Sequence, residues 1–280
     1  NVIGLYEAHS PMRWLLSPQA LLLNVSKFAE LIYYAGLIRK HRITPRFGRV
    51  VSRFDKGQVT ITSVSSSFAL KKNKSQTFDA DVVAVGWGFS PDLTLGGILG
   101  CKERVDVDGT TIFDVDADQL SSQKNVWIAG EATGIGGADL SLLEGEIAGL
   151  AASGQGISSQ LRMARYRKQV FADALKRSYS VKDGWRSWAK KSTVVCRCEE
   201  VSLGEIEESV VELGAEDSRT AKLFTRAGMG LCQGRVCSRN VSEIVAGLTK
   251  CAVTDEERIA SSNRPIAAPI ALGLLGDGKK

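Results

Sequence analysis

Four of the six cysteines fall within a 42-residue window, as Cys196-x-Cys198, a gap of 33 residues, and Cys232-x4-Cys237. Four thiolates in two close pairs suit a 2Fe–2S cluster, because each iron needs two protein sulfurs to complete its tetrahedron. A CxC pair can place two sulfurs at one edge of a cluster from one extended turn. A CxxxxC pair can do the same from a loop entering a helix. Other chemistries compete for these residues. Structural zinc favours CxxC knuckles, and two disulfides require an oxidising compartment, to which nothing in the composition points. Cys101 and Cys251 have no partner at ligand spacing and read as ordinary buried thiols. His9 and His41 are the only histidines, too few for a His-rich metal site or a Ser–His–Asp triad.

A redox-active dithiol is the sharper rival, since CxxxxC is also the spacing in flavoprotein disulfide reductases. There the pair lies early, within the first flavin-binding segment. Here it follows every glycine-rich turn that could meet a flavin, and it is matched by CxC.

The elements around the cysteines suit a small module. Ser202 and Glu205 form a capping box that opens a helix carrying Ile206, Val210, Val211 and Leu213, stopping at Gly214. A second helix is expected over about 219–226, stopping at Gly228. Gly228-Met229-Gly230 then leads into Cys232, and a third helix carries Val241, Ile244, Val245 and Leu248. Three short helices around a glycine-rich cysteine loop bury little core and need a metal staple.

Upstream, Val2–Tyr6 is an apolar run closed by Glu7, the pattern of a parallel strand with an acid at its carboxyl end. Such an acid can bond a ribose hydroxyl; the alternative is a surface carboxylate. Ser26 is expected to cap a helix to about Lys40, with Phe28, Leu31, Ile32, Ala35 and Ile38 on one face. Strand-like stretches follow at 49–54, 58–64 and 67–71, with Lys71-Lys72-Asn73-Lys74 as a solvated hairpin tip. Val82–Val85 and Val126–Ala129 read as buried strands, each breaking at glycine. The second runs into Gly130, Glu131, Thr133, Gly134, Ile135, Gly136 and Gly137, then a helix over about 139–152. Strand, glycine turn and helix N-terminus form a nucleotide-binding geometry, so these residues and Glu7 are the candidate cofactor contacts. Residues 156–192 read as polar helix and connector, with Trp185 and Trp188 packing on the body. Beyond Thr254 the chain reads as an extended, proline-containing tail.

Composition narrows the classes. The net charge is only +5, with scattered Lys and Arg and no basic stripe interleaved with aromatics, which argues against a nucleic-acid binder. No apolar run approaches membrane-spanning length. The chain opens Asn1-Val2-Ile3 inside a strand pattern, without Met, so an upstream portion is expected.

Cys196-Arg197-Cys198-Glu199-Glu200-Val201 and the run from Gly228 to Cys237 resemble the BFD-type (bacterioferritin-associated-ferredoxin-like) 2Fe–2S domain. The form is the one fused to FAD/NAD(P)-type flavoprotein subunits. That group includes the A-type subunits of opine oxidases, the B-type subunits of hydrogen cyanide synthases and the alpha-type subunits of dye-linked proline and hydroxyproline dehydrogenases. Nitrite reductases carry a similar module, typically with CxxC as the second pair. Residues 81–91 resemble the return from the pyridine-nucleotide-like domain to the FAD domain. Residues 125–131 resemble the late FAD motif, with Glu131 where many relatives have Asp. The segment Arg264-Pro265 to Gly273 is similar to that group's ending.

The resemblance implies an α/β fold, a partial Rossmann-like two-dinucleotide fold of the disulfide-reductase type followed by a small all-α 2Fe–2S domain. The implied segments are 1–90 (pyridine-nucleotide-like), 91–155 (FAD-binding), 156–192 (connector), 193–252 (2Fe–2S domain) and 253–280 (tail). It also implies a cluster on Cys196, Cys198, Cys232 and Cys237, and FAD shared with the upstream portion. The function implied is that of an electron-transfer component of a heteromeric opine, proline, hydroxyproline or glycine-type dehydrogenase or oxidase acting on CH–NH. Its partners would be a glycine-oxidase- or sarcosine-oxidase-like flavoprotein and an electron acceptor. The expected location is the cytoplasm or, peripherally, the inner face of the membrane. An NAD(P)H-dependent ferredoxin- or nitrite-type reductase, with Glu7 on the nicotinamide ribose, is the enzymatic alternative. A non-catalytic 2Fe–2S module is the other.

Overall fold

The computed structural model describes residues 2–262. In chain order its elements begin β1 (Leu5–Glu7), α1 (Pro18–Leu22), α2 (Ser26–Lys40), β2 (Pro45–Phe47), β3 (Arg49–Asp55), β4 (Gln58–Val64) and β5 (Leu70–Asp79). There follow α3 (Thr94–Ile98), β6 (Glu103–Val105), β7 (Thr111–Phe113), α4 (Ala138–Ala152) and α5 (Ser159–Ser178). The last are β8 (Val194–Cys196), β9 (Val201–Ser202), α6 (Leu203–Val211), α7 (Ser218–Thr225), α8 (Ser238–Thr249) and α9 (Asp255–Ser262). They group into two compact units, Asn1–Ser90 with Ile135–Trp188, and Pro91–Gly134 with Ala189–Lys280. This grouping cuts the expected 91–155 segment between 134 and 135.

In the first unit β1 pairs in parallel with β2, and β3, β4 and β5 form an antiparallel meander. The alternation of β4 puts Val59 and Ile61 into a core with Ala80. Val64 instead joins Ala8, Val50 and Phe68. Hydroxyls from all three meander strands interlock, Ser52 with Thr62 at 2.7 Å and Thr62 with Ser75 at 2.8 Å. The lysine run at 71–74 lies inside β5 rather than at a tip. The turn sits earlier, where Ser65 Oγ accepts from the Ala69 N–H at 3.1 Å. As the edge strand, β5 gains from those lysines, because charge on an edge discourages pairing with another sheet.

Several expected elements differ. Residues 82–85 pair with no strand among the described residues, and Val82 and Val85 are exposed; a buried parallel strand needs neighbours on its edges, and none is present there. Residues 126–129 make only an isolated bridge, Leu120 to Trp127. The helix α2 has the expected bounds, but Val25 is its N-cap and Ser26 makes no capping bond. Its apolar residues Phe28, Leu31 and Ile32 are exposed among the described residues. Residues 255–262 are helical rather than extended, since Asp255-Glu256-Glu257 in a first turn favour a helix N-terminus. The prolines at 265 and 269 lie outside the described residues.

A tight approach fixes the connector. The Gly184 N–H donates to Ser67 O at 2.8 Å and Trp188 Nε1 to Phe68 O at 2.7 Å, with the Trp188 ring against Phe68 and Trp87. A Cβ at Gly184 would lie 2.3 Å from Ser67 O and 2.4 Å from Ala69 N, both backbone atoms. Gly184→Ala is therefore expected to destabilise the chain by about 1–3 kcal/mol through overpacking, read as a lower denaturant midpoint.

In the second unit Leu93, Cys101 and Phe113 form a core with Val115, Val126 and Ile128. The β6–β7 hairpin is tied to the cysteine module by two arginines. Arg239 donates to Thr110 Oγ1 at 3.0 Å and Asp108 O at 2.7 Å. Arg258 pairs with Glu243 at 2.6 Å and reaches Gly109 O at 3.5 Å.

Candidate metal centre

The short strand β8 delivers Cys196, whose residue pairs with Val201 across an antiparallel hairpin. Cys198 sits in that hairpin's turn, where Glu200 takes φ +56 to bring the chain back. The capping box forms as expected, with Glu205 N–H donating to Ser202 Oγ at 3.3 Å and Ser202 N–H to Glu205 Oε2 at 2.8 Å. The Ser202 backbone N–H, then its hydroxyl, holds the Glu205 carboxyl below its ordinary pKa. In α6 Leu203 and Ile206 are buried and Val211 is exposed; the helix ends at Val211, so Leu213, expected within it, lies beyond it and is exposed. The next helix ends at Arg226, in the left-handed region at φ +65, two residues before the expected Gly228. Arg226 Nε then donates to Glu199 Oε2 at 2.9 Å, clamping the CxC hairpin to α7.

The glycine loop closes over the thiols. Gly228, at φ +82, donates its N–H to Cys196 Sγ at 3.4 Å. A Cβ at Gly230 would stand 2.3 Å from Cys198 Cβ, so the two loops meet only because residue 230 has no side chain. Gln233 Nε2 ties the loop to Gly230 O at 3.0 Å. Cys237 is the N-cap of α8, whose Val241, Ile244 and Val245 are buried. Arg235 bridges outward, donating to Thr94 Oγ1 at 3.1 Å and to Cys232 O at 3.3 Å. Gly230→Ala is expected to cost about 1–3 kcal/mol and to lower the iron bound per chain, as measured by metal analysis.

All four sequence-selected thiols come together, but the contacts cross the sequence pairs. Cys232 hydrogen-bonds with Cys198, and Cys237 with Cys196. The CxC pair thus does not share one edge. Burial raises the Cys232 thiol, but the N–H of Val236, the Cys198 thiol and the N–H groups of Gly234 and Arg235 together bring it below its ordinary value. Burial, then Cys196 and Cys232, push Cys237 up to about 12. A thiol held so high keeps its proton at neutral pH unless a bound cation displaces it. Among the described residues no three Cys, His, Asp or Glu side chains converge as a single metal ion requires. Two contacting thiol pairs, glycines at 228 and 230 where the loop closes on the thiols, and inward N–H groups fit the demands of a two-iron cluster.

Cys101 is buried, its Sγ donating to Ser121 Oγ at 3.4 Å. Cys251 is exposed instead of buried. The roles of Arg226, Gly230, Arg235, Arg239 and Arg258 were not read from the sequence; the GMG run hinted at Gly230, and the arginines carry no local signal.

The other candidate residues divide between the units. In the second, Gly130 takes φ +80 and is buried, Glu131 is half-buried, and Thr133 Oγ1 donates to Gly130 O at 2.9 Å. In the first, Ile135 and Gly136 lead to Gly137, the N-cap of α4 at φ +86. Also there, Glu7 ends β1 on a cavity of about 430 Å³ with His9, Arg49, Phe78 and Trp87 on its walls. Its Oε1 accepts from the His9 N–H at 2.8 Å and faces His9 Nδ1 at 3.1 Å. The hydrogen bond from the His9 ring is the main cause that lowers the Glu7 pKa.

Residues 194–247 match the family described as the BFD-like [2Fe-2S] binding domain. Over 252 residues the chain is 32% identical to the hydrogen cyanide synthase component HcnB of Pseudomonas protegens, covering 85% of this chain and 53% of that protein. Over 207 residues it is 32% identical to the A-type subunit of opine oxidase from Rhizobium meliloti, covering 68% of this chain and 39% of that protein. The chain spans about half the length of the HcnB proteins it matches. In three dimensions it resembles L-proline dehydrogenase from P. horikoshii, with a TM-score of 0.58 over 97% of this chain and 49% of that one; at 19% identity this is a likeness of fold.

Proposed function

We propose that this chain, similar to HcnB of hydrogen cyanide synthase and to the A-type subunit of opine oxidase and matching the BFD-like [2Fe-2S] binding domain over residues 194–247, is the electron-relaying part of a heteromeric amino-acid dehydrogenase or oxidase. The observation that carries this reading is the meeting of Cys196 with Cys237 and Cys198 with Cys232 inside that domain. Cys196, Cys198, Cys232 and Cys237 would hold the cluster, with Gly228 and Gly230 making room and the 234–236 N–H groups countering negative charge. Gly130, Glu131, Thr133, Gly134, Ile135, Gly136 and Gly137 are the proposed FAD contacts. When bound, flavin supplies two-electron and the cluster one-electron chemistry. The partner would be a glycine-oxidase- or sarcosine-oxidase-like flavoprotein that oxidises the C–N bond of an opine, proline, hydroxyproline or glycine-type substrate. Reduced thiols require a reducing compartment, the cytoplasm or the inner membrane face. Among the described residues no helix is long and apolar enough to cross a membrane.

Glu7 on its cavity favours one rival, an NAD(P)H-dependent reductase. Anaerobic mixing of the native assembly with NADH, and separately with a secondary amino acid, distinguishes the two. Bleaching of the flavin by the amino acid alone is the expected result. Bleaching by NADH alone would replace the proposal with the reductase.

A further inference from the structure

Exposure divides the four thiols differently from their spacing. Cys196 and Cys237 keep 1% and 2% of their surface, whereas Cys198 is exposed and Cys232 half-buried. The backbone follows the same division: Gly228 donates its N–H to Cys196 Sγ at 3.4 Å and lies beside Cys237 Sγ, while Gly230 abuts Cys198, whose thiol meets Cys232. Two thiolates on one iron are neighbours on a tetrahedron and touch, whereas thiolates on different irons are held apart by the bridging sulfides. Contact therefore assigns an inner iron to Cys196 and Cys237 and an outer iron to Cys198 and Cys232. We propose that Cys198 and Cys232 ligate the iron that becomes ferrous on one-electron reduction, while Cys196 and Cys237 ligate the iron that stays ferric. This rests on the four-thiolate reading above.

The step adds one electron and no proton, so the site gains a full negative charge. The electron comes from a reduced flavin in the assembly or from dithionite in the test. Added charge is stabilised most where water and N–H dipoles reach it, and it is penalised in a dry interior. The outer pair has both advantages. Arg235 is anchored on the Cys232 carbonyl at 3.3 Å, and Glu199, next to Cys198, is neutralised by Arg226 at 2.9 Å. The inner pair has the Gly228 N–H on Cys196 at 3.4 Å and the Cys237 N–H on its own thiol, within a buried environment. Solvation decides for the outer iron. Leu231, 74% exposed, directly precedes Cys232 in sequence, so a donor or acceptor docking there would meet the iron that changes charge.

The test uses the intact chain with its cluster, reduced by dithionite. Cysteine β-proton resonances on the ferric and ferrous irons have opposite temperature dependence in the proton NMR spectrum. They can be assigned through Gly230, which abuts the Cys198 Cβ, and Gly228, which lies beside the Cys237 Sγ. The ferrous pattern should appear on the protons relayed to Gly230. Mössbauer spectra of iron-57-loaded Cys198→Ser and Cys232→Ser chains should change the ferrous doublet and leave the ferric one. Ferrous behaviour on the Gly228 side, or charge shared equally by both irons, overturns the assignment while leaving the cluster reading intact. Protein without labile sulfide overturns both.

Discussion

Cys237→Ser is expected to abolish the iron–sulfur spectrum of the intact chain. Cys237 is 2% exposed and at the N-cap of α8, in contact with Cys196. A serine hydroxyl there would keep its proton in a dry pocket, leaving one iron a ligand short. Even outer-shell changes at metal sites cost about 10–100-fold in affinity, so loss of a buried ligand should cost more. The module also loses part of its folding energy, because a domain of three short helices depends on its staple. Iron and sulfide assays with electron paramagnetic resonance would read the outcome. Cys101→Ser and Cys251→Ser, both away from the thiol pairs, should keep a normal cluster. A normal spectrum from Cys237→Ser would remove that residue from the ligand set.

The second large effect is a split between half-reactions. Hydride transfer from an amine needs a pocket that orients the substrate and holds the amine neutral beside a flavin. Neither the glycine turn near Glu131 nor the thiol pairs supply such a set. The chain alone, even with FAD and cluster restored, should therefore not oxidise an amine. In the complete assembly, Cys232→Ser should slow electron delivery to a dye by at least about tenfold, equivalent to roughly 1.4 kcal/mol on the barrier. Reduction of the partner's flavin by substrate should remain nearly normal. Rapid-mixing spectroscopy separates the two phases. Turnover by this chain without a partner, or loss of the first phase in Cys232→Ser, would contradict the division of labour.

The site was more legible than the scaffold. Cysteine spacing, the Ser202–Glu205 box and the periodicity of α8 are local signals, and each depends on residues a few positions apart. The meander strands β3 and β4 were legible for the same reason. Residues 82–85 and 126–129 mislead because an apolar run states only that a segment could be buried, whereas a strand also needs partners at its edges. The lysines of β5 mimic a turn because charge marks edges and tips alike. The crossing of the thiol contacts was invisible, since it depends on how the 199–231 stretch folds back. So were the anchors Arg235–Thr94 and Arg239–Thr110, which join residues more than a hundred positions apart.

The most direct measurement is the metal and sulfide content of the anaerobically purified intact chain, with its resonance spectrum after reduction. About two irons and two acid-labile sulfides per chain, with a reducible spin-one-half signal, is the predicted result. Stoichiometric zinc without labile sulfide would contradict the account.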